Sequence, residues 1–496
     1  MRLSSRLTAG LILAGAGLAA AQSPLASSST LILQPAAGEA IYQQRCEICH
    51  GTEGDGSGPA AANMDPRPRD FRRGWYKVRS TTTGQLPTDA DLVQIIAEGM
   101  PGTTMPAWGA ILTPEELQAV ADYIKGFSRR FERETPEPAP VVPAPGSSEE
   151  RIGRGAQLFS GAGAECAKCH GLAGRGDGSS AGELMDDFGQ PIVPADLSAP
   201  WYFRGGPSAE DIYLRLKTGL TGSPMPSYAD VLSDEELWDL AYYVDSLGED
   251  QAPQLQPFIL ARMIEGPLPT TAEDPIWQQA EASYYPLIGQ LMREPRNFNS
   301  RIQAIWVQAL HNASELALRL EWNDRFADQG QSSDSLAIEF PAELFENGER
   351  PYFVFGEAGK PVNLWVWDAG NDTIEEQSSE GVGSRVAQPI QDLTGRVGYE
   401  AGQYTLVVAR SLATSDVADL QIPQGEFVPI AFAAWDGGSG EQAESGAIGS
   451  WQVIYLEQPA PLVGYAWVPA AVLAATALEW WAARRVRDSA PKLGSR

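Results

Sequence analysis

Two hydrophobic periodicities divide the 496-residue chain. In the first half apolar residues recur at helical spacing. Leu117, Val120, Ala121 and Ile124 form one stripe, which Leu237, Leu240, Ala241 and Val244 repeat. Each stripe follows a hydroxyl residue with glutamate three positions on (Thr113 and Glu116, Ser233 and Glu236), a capping box that predicts a helix start at both places. From about residue 255 the period shortens to two. In SELALRLEWND, Leu316, Leu318, Leu320 and Trp322 share a face, and KPVNLWVWDAG, GQYTLVVARSL, FVPIAFAAWDGG and GSWQVIYLEQP read as further strands between Gly, Asn and Asp turn signals. This patterning predicts a mostly antiparallel β-sandwich over 255–460.

The two ends are continuously apolar. Arg2 and Arg6 precede an apolar run from Leu7 to Leu18, with Ala19 and Ala21 as a cleavage site, so 1–21 reads as a signal peptide and export is expected. Residues 461–483 are long enough for a transmembrane helix. Tyr465, Trp467, Trp480 and Trp481 lie near its ends, and Arg484, Arg485 and Arg487 place the tail in the cytoplasm. Glu479 is the discordant residue. The expected location is therefore the periplasmic, extracytoplasmic face of a membrane.

The helical half is written twice. His50 and His170 are 120 positions apart, as are Met105 and Met225, and LTPEEL and LSDEEL. Ahead of each histidine a glycine precedes an aromatic by one turn (Gly38 and Tyr42, Gly155 and Phe159), a pairing suited to close crossing of two helices. The units are 36–128 and 150–249. Between them 129–149 carries five prolines from Pro136 to Pro145, which predicts an extended, semi-rigid spacer. The remainder of each unit is Gly- and Pro-rich loop, too little secondary structure for a core of this size. Something bulky must fill each centre.

Four cysteines in an exported chain would ordinarily suggest two disulfides. Here they form two C-x-x-C pairs, Cys46/Cys49 and Cys166/Cys169, each followed at once by a histidine. Zinc would want a fourth ligand nearby, and no further Cys or His follows either motif for over a hundred residues. Two thiols with an adjacent imidazole suit covalent haem c, with His50 and His170 on iron. Met105 and Met225, each 55 residues beyond its histidine and before proline, are the matched sixth ligands. Met64 and Met100 compete in the first copy only; Leu220 replaces Met100 in the second. The net charge of −28 argues against nucleic acid and fits either docking of basic partners or simple solubility.

With these motifs in place, 36–128 and 150–249 resemble class I c-type cytochromes. YYPLIGQLMREPRN, ALHNASELALRLEWND, GKPVNLWVWDAG and the AAWDGG to WQVIYLE region resemble the haem-b domain of the ethylbenzene and dimethylsulfide dehydrogenase gamma-subunit family, over roughly 265–458. The fold class is then two mainly-α cytochrome c domains, an antiparallel β-sandwich and a C-terminal transmembrane helix. The resemblance implies haem b held by methionine and lysine. The region offers Met263, Met292, His311 and Lys360; Met292 sits where the family's methionine is expected, whereas Asp368 stands where its lysine would be. Lys360, upstream, is the substitute candidate. The resemblance also implies an electron-transfer subunit, without substrate chemistry of its own, serving molybdopterin/iron–sulfur oxidoreductase subunits and other redox proteins, basic cytochromes among them. Two other readings stay open: a haem-free β domain that docks the cytochromes, and a dihaem peroxidase.

Overall fold

The computed structural model describes residues 35–248, 252–458 and 467–488, apart from 299, 331, 345–347, 417 and 444. The expected signal peptide lies outside them. The first unit contains α1 (Pro35–Arg45), α2 (Glu47–His50), α3 (Asp89–Glu98) and α4 (Pro114–Lys125); the second repeats it with α5 (Glu149–Ser160), α6 (Ala167–His170), α7 (Ala209–Thr218) and α8 (Asp234–Asp245). Both capping boxes form: Glu116 N donates to Thr113 Oγ1 and Glu236 N to Ser233 Oγ, each at 3.3 Å.

The glycines expected at helix crossings are where the first and last helices of each unit meet. A Cβ at Gly38 would lie 2.1 Å from the carbonyl oxygen of Ala119, and one at Gly155 would lie 2.1 Å from that of Asp239. The backbones touch because no side chain intervenes. Tyr42 and Phe159, one turn on, are buried beneath the crossings. α3 and α7 correct the sequence expectation, which assigned their residues to loop. Each is capped by a hydroxyl residue with aspartate at N3 (Thr88 and Asp91, Ser208 and Asp211), and each buries an apolar pair, Leu92 with Ile96 or Ile212 with Leu216.

The proline-rich segment is extended but not free. Ala139 N donates to Ser80 O at 2.8 Å, and Val142 O accepts from Trp238 Nε1 at 3.2 Å, so it is fastened to both units. The units also bond directly. Arg79, fully buried, donates to Thr218 O at 2.7 Å, and Arg215 returns a bond to Arg79 O at 2.7 Å.

The second half contains β1 (Ile259–Met263), β2 (Ser283–Pro286), β3 (Ile288–Gly289), β4 (Ala304–His311), β5 (Glu315–Asn323), β6 (Ser335–Pro341) and β7 (Val362–Asp368). It continues through β8 (Thr373–Ser379), β9 (Val386–Ala387), β10 (Thr394–Glu400), β11 (Gln403–Ser411), β12 (Phe427–Trp435), β13 (Ala447–Ile448) and β14 (Gln452–Leu456). The expected sandwich of antiparallel sheets is realised differently. One open path runs β10-β11-β5-β4-β1-β14-β12-β6-β7-β8-β9, and β1 is parallel to both its neighbours. The two halves are joined because β12 changes partner along its length: Phe427–Ile430 pair with β14 and Ala431–Trp435 with β6. Such a shared strand makes a corner. The path folds over so that Trp322 on β5 and Tyr404 on β11 meet Trp367 on β7, at ring separations of 5.7 and 4.9 Å. Arg410 fixes the fold-over from inside, with ion pairs to Glu376 at 3.1 Å and Asp419 at 3.5 Å.

The expected transmembrane span, 461–483, falls partly outside the described residues. Residues 461–466 lie outside the described set, and α9 (Trp467–Asp488) carries Glu479, Arg484, Arg485, Arg487 and Asp488. Among the described residues no helix is long and apolar enough to cross a membrane.

Two substitutions test this packing. Gly155→Ala is expected to destabilise the second cytochrome unit by ~1–3 kcal/mol despite alanine's better helix propensity, because a backbone carbonyl cannot move aside as a side chain can. Arg410→Ala, which strands Glu376 and Asp419 in the interior, is expected to cost ~3–5 kcal/mol. Denaturant unfolding reads both; an unchanged midpoint in either refutes the corresponding contact.

Candidate functional site

Each C-x-x-C-H motif is a single turn of helix whose backbone closes on itself. His50 N donates to Cys46 O and His170 N to Cys166 O, both at 2.9 Å. This turn sets the two sulfurs and the imidazole on one wall. On the same cavity, Met105 and Met225 sit on loops of identical form: Met100 N donates to Met105 O and Leu220 N to Met225 O, both at 3.1 Å. Thr103 and Ser223 hydroxyls brace the same turns. Cys46, Cys49, His50 and Met105 of one copy, and Cys166, Cys169, His170 and Met225 of the other, all line one cavity of about 1610 Å³. That volume exceeds the ~300–1,000 Å³ of an ordinary single-ligand site. Met64 and Met100 line it too.

The imidazoles are oriented by backbone. His50 Nδ1 lies 3.2 Å from Arg69 O, and His170 Nδ1 lies 3.1 Å from Ala195 O. A carbonyl can only accept, so each Nδ1 carries the proton and Nε2 is left as the donor atom for a metal. Burial lowers the pKa of both histidines, which favours the neutral form a ligand needs. Phe71 stacks on His50 at 4.5 Å. Burial pushes the Cys46 and Cys166 thiols up to about 11. The four cysteines are unpaired.

Between the two crevices lies a group of cations that sequence reasoning missed. Arg69, Lys77, Arg204 and Arg215 all line the cavity and are all lowered by burial, Lys77 to about 8, with Arg69 and Arg204 adding repulsion there. Arg215 Nε and Nη1, Tyr76 Oη and Trp201 Nε1 have no protein partner. Buried donors of this kind demand an acceptor. Together with apolar walls, the thiol pairs, the imidazoles and the thioethers, they fit the anionic edge and the face of a haem. The signal was present in RPRDFRR and WYFRGG, basic clusters in an acidic chain. The second copy's extra residues form a short hairpin bridged at Met185 and Pro191. Its tip, Phe188, packs on Trp75 and under Arg69 and Arg73 of the first copy.

The cavity continues along the β domain past Leu287, Leu291, Phe298, Arg301 and Trp306. Met292 is adjacent to this wall and 41% exposed. Lys360 is not brought to it. It precedes β7, whereas the Met292 loop is tied through Asn297 and Glu441 to Asp436, beyond the other end of that strand, roughly 20 Å away along the strand. The Lys360 amine pairs with Glu349 and Glu357 at 3.4 Å each, which raises its pKa and keeps it charged, the wrong state for an iron ligand. Asp368 accepts from Ser333, Gly370 and Asn371. His311 is fully buried, its ring nitrogens facing Asn312 O and Glu457 O, and Met263 lies on β1.

Comparison with known proteins agrees with this division. The family model described as cytochrome c oxidase, cbb3-type, subunit III matches residues 33–124, cytochrome c matches 152–248, and ethylbenzene dehydrogenase matches 274–387. The chain therefore carries two cytochrome c domains ahead of an ethylbenzene dehydrogenase domain. Among relatives, the putative respiratory nitrate reductase heme subunit of Haloferax mediterranei is 26% identical over 35% of this chain. The chlorate reductase subunit gamma of Ideonella dechloratans is 26% identical over 38% of this chain and 80% of its own length. The chain spans 64% of the Haloferax subunit, less than two thirds. A chain of the Kuenenia stuttgartiensis reducing HAO-like protein complex is 46% identical over 43% of this chain and 96% of its own, with a TM-score of 0.42.

At the β-domain end of the cavity, Asp324, Asp334 and Asp436 bring carboxylate oxygens within 4.8 Å of one another. Burial, then Asp334 and Asp436, push Asp324 up to about 9. An unfolded aspartate ionises near ~3.9, so the native state keeps a proton that the unfolded state loses between those values. Stability contributed by this group falls as pH rises through that window. Asp324→Asn is expected to flatten the decline of Tm between about pH 5 and 9. An unaltered slope in thermal melts across that range would rule this out.

Proposed function

We propose that this chain is a multihaem electron-transfer protein acting as the cytochrome subunit of a molybdopterin oxidoreductase complex of the nitrate, chlorate or dimethylsulfide type. The observation that carries the reading is the single cavity lined by both sets of Cys, Cys, His and Met. Haem bound there supplies a one-electron iron couple. The chain's own residues do the rest. Cys46, Cys49, Cys166 and Cys169 would hold the macrocycles, His50, His170, Met105 and Met225 would ligate iron, and the cavity's arginines would neutralise acidic edges. Ligation by both histidine and methionine would favour relay over peroxide chemistry. The relatives' names support the kind of complex served. The arginine-led N-terminal segment supports an extracytoplasmic location, which cell fractionation tests.

For the β domain we propose a b-type haem against the wall at 287–306 with Met292 as one ligand, supported by the ethylbenzene dehydrogenase match and the apolar lining. A second reading, a haem-free docking domain, is favoured by the pairing of Lys360 with Glu349 and Glu357. One measurement separates them. Pyridine haemochrome spectra before and after acidified-acetone extraction are expected to give two thioether-bound haems that stay and one haem that leaves. Two haems and no extractable one select the docking reading; a colourless protein matured with its attachment machinery overturns both.

The charge of −28 adds a kinetic expectation. Electron exchange with a basic cytochrome is expected to slow steeply as ionic strength rises, because steering acts over a Debye length of ~8–10 Å. A stopped-flow rate independent of salt would exclude basic carriers as steered partners.

A further inference from the structure

The two copies hold their histidines with the same local geometry but with different support. Matching bonds fix the correspondence: Phe71 N donates to Gly54 O and Leu197 N to Gly174 O, both at 2.7 Å. The segments 68–70 and 194–196 are thus equivalent, and each presents its middle carbonyl to Nδ1 of the histidine. In the first copy the segment is braced by its own chain, Asp70 accepting from Arg72 N and Nε at 3.0 Å.

In the second copy the β domain adds its own grip on both sides of Ala195. Arg325 Nη2 donates to Pro194 O at 3.4 Å, and Asn323 Nδ2 donates to Asp196 Oδ2 at 2.7 Å. The same corner closes on the other flank of His170. Gly176 N donates to His170 O at 2.8 Å, and a Cβ on Gly176 would meet Arg325 Nε at 2.9 Å. Gln403 Nε2 in turn donates to Asn323 Oδ1 at 3.1 Å, while Arg175 donates to Gln403 Oε1 at 3.3 Å.

We propose that Arg325 and Asn323 are positioning residues for His170. Through them the β domain fixes the carbonyl that accepts the Nδ1 proton, and thereby sets how strongly this imidazole donates to iron at the second site. The proposal rests on reading both C-x-x-C-H motifs as haem sites. A firm Nδ1–H···O bond makes the imidazole more basic and favours ferric iron; a loosened carbonyl favours ferrous iron. Among the described residues no such bond from the β domain reaches the first site's 68–70 segment, so the two haems answer differently to the β domain. A change at the cavity wall carrying Asn323 and Arg325 is passed to the second haem alone.

The test uses the full-length holoprotein with Asn323→Ala and with Arg325→Lys, neither of which changes net charge. Potentiometric titration is expected to show the second haem's potential rising. The shift should reach at least about threefold in its one-electron equilibrium, about 28 mV at 59 mV per tenfold. The first haem should hold its value. Repeating the titration in a Met105→His background, which displaces the first haem's potential, tells the two apart. Hyperfine-shifted NMR signals of the second histidine should move with the potential. Potentials unchanged at both haems, shifts of equal size at both, or a shift confined to the first overturn the proposal. A protein lacking two covalent haems instead defeats the reading on which it rests, a distinguishable failure.

Discussion

Two backbone carbonyls, those of Arg69 and Ala195, hold the Nδ1 protons of two half-buried imidazoles, and the rest of the helical half is arranged around that constraint. A histidine so held has one tautomer and one direction. The turn of helix that carries it must therefore stand at a fixed distance from an extended loop that has no secondary structure to stiffen it. The glycine crossings provide the reference frame. By letting α1 touch α4 and α5 touch α8 at backbone distance, Gly38 and Gly155 fix the C-x-x-C-H turns relative to the helices that follow the methionine loops.

What distinguishes this chain from a simple tandem is the support that crosses between its units. Phe188 of the second unit lies over arginines of the first, Arg79 and Arg215 exchange bonds across the junction, and Asn323 and Arg325 brace the second histidine's loop from the β domain. The cations of the shared cavity are partly buried in a protein of strongly negative charge. That placement is costly unless an acid faces them. The cavity gathers four of the chain's cations, Arg69, Lys77, Arg204 and Arg215, along one lining.

The β domain shows the limits of pattern. Alternation located the strands well: Leu316, Leu318, Leu320 and Trp322 are fully buried on β5, as their spacing required. It did not give the parallel pairing of β1 or the change of partner along β12, since both depend on which strand edges meet, and a period of two is the same in either orientation. Nor did it give α3 and α7, whose caps were visible at Thr88 and Ser208 but whose short apolar faces were read as loop.

The sequence alone determined the duplicated chemistry, because thiol spacing within one helical turn and the matched methionines are local in the chain and survive any packing. It also located the helix caps and crossings and most strands. Only the tertiary structure decided that both crevices share one cavity, that Lys360 and Met292 stand at opposite ends of β7, and that the second histidine is braced by a distant domain. Those outcomes are contacts between residues far apart in sequence. Burial and hydrogen-bond satisfaction select them, and no local pattern encodes them.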